Sequence, residues 1–141
     1  MMRLIDHVGV AVSDLGRATT DFADHLGLVV DGPEVLLPSQ GTVVQFLRPV
    51  DADRSGAAIE LIAPEDPDDG THPLVRFMRR GGSRVHHVCF VTGDIDGELA
   101  RLGAGGVLLV DKKPWLSPHG WAAFVHPANM HGVAIELRQY L

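Results

Sequence analysis

The chain has 141 residues, 45% hydrophobic and 21% charged, with a formal net charge of −6. That length builds one compact domain or two very small fused units, and the composition is that of a folded chain. The negative balance argues against a nucleic-acid backbone as partner, no apolar run approaches the roughly 18 residues that span a bilayer, and the lone Cys89 permits no internal disulfide. No export signal is visible at the start of the sequence, so a reducing cytoplasm is the expected setting. Arg79, Arg80, Arg84, Lys112 and Lys113 can still form a local basic edge for a small anion.

Along residues 3–12, Val8, Val10 and Val12 alternate with His7, Gly9 and Ala11, the period of a strand with two different faces. Ser13 or Asp14 can cap a helix that carries Leu15, Ala18, Phe22 and Leu26 on one side, and Gly27 is placed to end it. Strands are expected at about 28–37, 42–48 and 57–63. Residues 64–82 read as a linker: Pro64-Glu65-Asp66-Pro67-Asp68-Asp69-Gly70 is turn-forming, and Pro73 opens a short helix with Leu74, Phe77 and Met78 before Gly81-Gly82. This helix is expected to cover one edge of a sheet. The remainder predicts a strand at 84–92, a helix at 94–102 ending near Gly103, and strands near 106–111, 120–126 and 132–139.

The order of elements repeats, and so do the residues. Asp6-His7-Val8-Gly9-Val10-Ala11-Val12 resembles His86-His87-Val88-Cys89-Phe90-Val91-Thr92, and Ala58-Ile59-Glu60-Leu61 matches Ala134-Ile135-Glu136-Leu137. The expected fold is α+β, two tandem βαβββ modules (1–63 and 83–141) making one domain around a half-open, barrel-like metal site. If the valines, isoleucines and leucines of these strands face the helices, His7, Glu60, His87 and Glu136 share the other face. Their neighbours there, Gly9, Ala11, Ala58, Cys89 and Ala134, are small and leave a cavity. Unpaired carboxylates in such a cavity cost several kcal/mol, on the order of the burial penalty of a charge, or take up protons. A bound cation resolves this, and two imidazoles with two carboxylates suit a divalent metal. Co, Mn, Zn, Ni, Mg and Fe are not distinguished.

The same segments resemble the vicinal oxygen chelate (glyoxalase/bleomycin resistance/dioxygenase) superfamily, and within it the methylmalonyl-CoA epimerases. The resemblance is carried by Ile5–Leu15, Ile59–Pro64, Val85–Phe90, Pro118-His119-Gly120, Phe124-Val125-His126-Pro127 and His131–Leu137. It implies a homodimeric isomerase in which His7, Glu60, His87 and Glu136 hold a divalent metal. The metal would chelate an acyl-CoA thioester and its carboxylate while the C2 proton is removed and returned.

The pattern is incomplete. The third-strand position where some epimerases carry an acid/base Glu falls on Val44 or Gln45, the helical Tyr pair is replaced around Thr20-Asp21-Phe22, and a Lys after the His-Pro turn is Ala128. Losing a general base typically costs about 10²–10⁴ in rate. Glu136, Glu60 and His119 are therefore the candidate proton carriers, and Gln45, His131 and Trp121 the candidate substrate contacts. Two other readings stand beside the isomerase. One is another chelate-type enzyme, a glyoxalase-kind lyase or an Fe(II) oxygenase using only His7, His87 and Glu136. The other is a non-catalytic small-molecule-binding protein.

Overall fold

The computed structural model describes residues 1–50 and 56–141. Strand β1 (Met2–Ala11), helix α1 (Leu15–Leu26) and strands β2 (Leu28–Leu37), β3 (Thr42–Pro49) and β4 (Ala58–Pro64) form the first βαβββ series. Helix α2 (Pro73–Arg79) follows. The second series is β5 (Val85–Thr92), α3 (Ile95–Ala104), β6 (Trp115–Ser117), β7 (Gly120–Val125) and β8 (Ala134–Gln139). The fold is mixed α+β, as the repeat predicts. Contacts divide the chain into a first unit, Val8–His86, and a second, Met1–His7 with His87–Leu141.

In the first unit the order is β2-β3-β4 and then the Val8–Ala11 end of β1. The Asp14 carboxylate caps α1 by accepting from Arg17 N at 3.0 Å, and Gly27 closes it at φ 68, a left-handed turn without a Cβ penalty. Leu15, Ala18 and Phe22 of α1 pack on Leu47, Leu61 and Ala63. The opposite face carries Ala11, Val44 and Ile62, and it is not the open surface expected from the small residues. Leu74 and Met78 of α2 pack onto it together with Phe46. The linker helix therefore covers a face of the sheet rather than its edge. Its start fits this role, since His72 Nδ1 accepts from Leu74 N at 3.0 Å and Pro73, which has no N–H to satisfy, takes the first helical position.

In the second unit the Met2–His7 end of β1 is followed by β5-β8-β7-β6. Asp94 caps α3 through Gly97 N at 2.9 Å, and Ile95 and Leu99 pack on Leu137, Ala123 and Val125. The helix runs past Gly103 to Ala104 and stops at Gly105. The strand expected at 106–111 is absent from the ladder. Val110 N and Asp111 N both donate to Phe124 O at 3.1 Å, while Asn129 Oδ1 accepts from Leu108 N at 2.9 Å. The Phe124 carbonyl and the Asn129 side chain thus satisfy an irregular backbone that keeps only an isolated bridge, Leu109 to Val125, and the short edge strand forms later, at Trp115–Ser117. Gly120 is required between β6 and β7: at φ 124, a Cβ there would lie 2.5 Å from the Gln139 carbonyl oxygen.

Candidate metal centre

Register decides which side chains meet. In the second unit Cys89 lies opposite Glu136 and Val91 opposite Arg138, while Phe124 and Ala122 of β7 lie opposite the same two residues. Leu137 and Ala123 occupy the other face, under α3. The sheet therefore presents His87, Cys89, Glu136, Arg138, Phe124 and Ala122 on one surface, away from the helix.

On that surface three predicted ligands converge. His7 Nε2 lies 3.0 Å from His87 Nε2, and Glu136 Oε2 lies 3.2 Å from each. The residues are all but sealed from solvent, with exposures of 0% for His7, 2% for His87 and 3% for Glu136. The edge of the His87 ring meets Phe124, centroid to centroid 5.5 Å, at 86°.

Three further groups set the chemistry of this cluster. Asp6 Oδ2 accepts from His7 Nδ1 at 2.6 Å, which fixes the tautomer and turns the Nε2 lone pair toward His87 and Glu136. Tyr140 donates its hydroxyl to the other oxygen of Asp6. Arg138 donates to Glu136 Oε1 at 3.0 Å and lies 3.7 Å from Asp6 Oδ2. Burial pushes the Glu136 carboxyl up, but the bonds from His7 and His87 and the Arg138 charge outweigh it and hold the group well below the usual carboxylate range. Asp6 behaves likewise: burial opposes ionisation, while His7, Tyr140 and Arg138 win and lower it. The Tyr140 phenol is pushed up to about 12 by burial and by its bond to Asp6.

The donor set fits a divalent cation. When the His7 imidazole is neutral, with its proton on Nδ1 toward Asp6, its Nε2 and the Glu136 oxygen are two acceptors held 3.2 Å apart, and a further proton or a cation must lie between them. Protons can bridge such a cluster pair by pair, whereas one cation answers all three acceptors at once. The spacings also equal the edge of an octahedron with bonds of roughly 2.1 Å, about 3.0 Å. Each of the three residues offers a ligand atom within 4.8 Å of the others.

Glu60 is buried on β4 of the first unit, opposite Phe46, and shares a face with Val44 and Ile62. Of the two positions left open, Val44 is the one on the face of Glu60. Gln45, expected as a substrate contact, pairs with Leu61 and lies on the opposite face from Glu60. Its amide instead donates to the carbonyls of Gly32 at 3.0 Å and Phe46 at 3.1 Å, beside the bulge between Asp31 and Val35.

Trp121, also expected to contact substrate, lies on β7. It pairs with Gln139, one residue out of phase with the surface that carries Glu136 and Arg138. The aromatic groups on that surface are Phe124 and Trp115, the latter paired with Ala122 and bonded through Nε1 to Asp111 Oδ2 at 3.2 Å. His119 is exposed in the β6–β7 turn, where its backbone N–H donates to Ser117 Oγ at 3.2 Å. His131 is exposed at φ 55 in the reversal before β8. Asp6, Arg138 and Tyr140 were not picked out from the sequence, though the alternation through Glu136 already puts Arg138 on its side.

The sequence profile of the Glyoxalase/Bleomycin resistance protein/Dioxygenase superfamily matches residues 6–125. The chain belongs to this superfamily. It is 30% identical over 142 residues to the ethylmalonyl-CoA/methylmalonyl-CoA epimerase of Cereibacter sphaeroides, covering 99% of each chain. It is 29% identical to the mitochondrial methylmalonyl-CoA epimerase of Bos taurus, over 96% of this chain and 73% of that one. The crystal structure of methylmalonyl-CoA epimerase from Mycobacterium tuberculosis superposes with a TM-score of 0.86 at 29% identity, covering 99% and 89% of the two chains. A methylmalonyl-CoA epimerase in complex with methylmalonyl-CoA and NH4⁺ also gives 0.86, at 27% identity over 99% and 96%. The chain is an enzyme of this epimerase group. Among the described residues no helix is long and apolar enough to cross a membrane.

Proposed function

We propose that the chain epimerises a 2-methylmalonyl thioester, or a close 2-alkylmalonyl relative, carried on coenzyme A, and that His7, His87, Glu136 and Glu60 hold its divalent metal. The observation that carries the reading is the convergence of the two imidazole nitrogens and the Glu136 oxygen at 3.0–3.2 Å, backed by the tautomer lock from Asp6. The names of the relatives supply the substrate class. Glu60 enters as fourth ligand because it is the repeat's counterpart of Glu136 and is buried on the corresponding face of its own strand. A cytoplasmic setting belongs to the same reading.

When bound, a divalent cation supplies Lewis-acid stabilisation of the negative charge that gathers on the substrate oxygens as the C2–H bond breaks. The protein's residues do the rest. The two imidazoles bind as neutral donors, and Phe124 and the small Ala122 leave the surface apolar around them. Glu136 is ill suited to take the proton, because His7, His87 and Arg138 all favour its ionised form. Proton removal therefore falls to Glu60, and His119, exposed on the β6–β7 turn, is the candidate for returning it. Val44 offers no proton-carrying group on the face of Glu60.

Solvent deuterium exchange tests this directly. Incubated in D₂O with methylmalonyl-CoA and added Co²⁺ or Mn²⁺, the protein is expected to incorporate deuterium at C2 and to interconvert the two epimers. Exchange no faster than in buffer would remove the proposal.

A further inference from the structure

Arg138 is 4% exposed, and its guanidinium reaches both carboxylates of the cluster, Glu136 Oε1 at 3.0 Å and Asp6 Oδ2 at 3.7 Å. A buried cation beside a metal site is costly to place, since it repels the ion that the site is built to hold. The chain's own repeat shows that the fold does not require it. In Ala58-Ile59-Glu60-Leu61-Ile62, the counterpart of Ala134-Ile135-Glu136-Leu137-Arg138, the same position is Ile62.

We propose that Arg138 is a positioning residue acting as a built-in counter-cation, which clamps Glu136 through Oε1 so that Oε2 alone serves as ligand, stabilises the metal-free protein and weakens metal binding. The inference rests on the metal reading above. The clamp does two things at once. It occupies the oxygen that would otherwise let Glu136 bind in bidentate fashion, and it withdraws charge from the carboxylate. In the metal-free protein it also offsets part of the negative charge of Asp6 and Glu136, which lie buried beside the imidazoles. Retained metal would then be traded against a stable apo-enzyme, and the ion would exchange more readily than the buried ligand set suggests.

The test is Co²⁺ titration, followed by calorimetry and by the visible absorption of the bound ion, with thermal melts of apo- and Co²⁺-loaded protein. R138I installs the residue of the first copy and R138M keeps the length of the chain. Both are expected to bind Co²⁺ on the order of tenfold more tightly than wild type, from loss of a like charge close to the ion. Their apo forms should melt about 5–10 °C lower, from the loss of a buried charge's partner, with a larger rise on loading. R138K keeps the charge and should stay close to wild-type affinity. A purely structural Arg138 would lower both melts and leave the affinity equal or weaker, and that result overturns the proposal. If the apo variants do not fold, Co²⁺ is expected to restore their far-UV circular dichroism, and failure to refold at saturating Co²⁺ overturns it as well. Wild-type protein that takes up no Co²⁺ defeats the metal reading itself, and this inference with it.

Discussion

Two strands of this molecule begin from almost the same residues and end in different surroundings. Ala58-Ile59-Glu60-Leu61-Ile62 and Ala134-Ile135-Glu136-Leu137-Arg138 place a buried glutamate at the same point of a β-strand. In each, the flanking Ile and Leu pack toward a helix, α1 for the first and α3 for the second. On the carboxylate's own face the copies part. Glu60 shares its side of β4 with Ile62, which packs into an apolar cluster with Val44 and Leu74. Glu136 shares its side of β8 with Arg138, which is bonded to it. The strand starts diverge in the same sense. Asp6 orients His7, whereas His86, in the matching position, stacks edge-on against Phe77 at 4.9 Å. The repeat supplies a pair of glutamates in unlike surroundings: one is bonded to Arg138, and the other shares its strand face with Ile62.

The sharpest way to break this division is to compare the two carboxamides. E136Q removes the clamped ligand, and Co²⁺ binding and turnover should both fall to background. The variant also leaves Arg138 facing a neutral amide, at a cost of about 3 kcal/mol, as expected when a buried ion pair loses one partner. E60Q should behave differently. Turnover should drop by about 10²–10⁴, the usual effect of losing a general base, while much of the Co²⁺ binding survives on His7, His87 and Glu136. Equal loss of metal in the two variants, measured by calorimetry, would show that no division exists. Full epimerase activity in E60Q would instead show that Glu60 is not the proton carrier.

Much of this was legible in the sequence. The repeat of strand, helix and three strands, the caps at Asp14 and Gly27 and the four ligand candidates come from spacing and alternation, which depend on local geometry. What escaped depended on partners distant in the chain. The surface under Ala11 looked open because α2 was not known to fold onto it. Residues 106–111 looked like a strand because Val107, Leu108, Leu109 and Val110 are apolar, but the groups that hold this backbone in an irregular path, the Asn129 side chain on Leu108 N and the Phe124 carbonyl on Val110 N and Asp111 N, lie elsewhere in the chain. Arg138 was the one omission that parity could have repaired. Two residues beyond Glu136 on a strand is the same face, and a charged residue there in place of the first copy's Ile62 is a visible difference.

A smaller effect is expected at Asp6, which distinguishes the two strand starts. D6N keeps the shape and loses the negative charge that holds the His7 proton on Nδ1. The affinity for Co²⁺ should weaken by about 10–100-fold, the common cost of removing a ligand's outer partner. The matching change at the second start, H86N, touches neither imidazole's ring contact with the cluster and should leave the affinity unchanged. Calorimetry on the pair measures the asymmetry, and equal effects would place both residues outside it.

The smallest change tests phase alone. Gln45 and Glu60 lie on adjacent strands one step out of register, Gln45 opposite Leu61 and Phe46 opposite Glu60, so their side chains leave the sheet on opposite faces. Q45L removes the amide that donates to the Gly32 carbonyl. Gly32 lies at the surface, where water can take the amide's place, so the loss should be only about 1 kcal/mol and a fall in Tm of roughly 2–5 °C. If the face assignment is right, kcat and KM for the thioester stay within about twofold of wild type, because no group on the side of Glu60 has moved. A selective rise in KM would put Gln45 back against substrate. That would require β3 to turn its other face inward, and Val44, now buried against Ile62 and Leu74, would have to leave the apolar cluster that α2 completes.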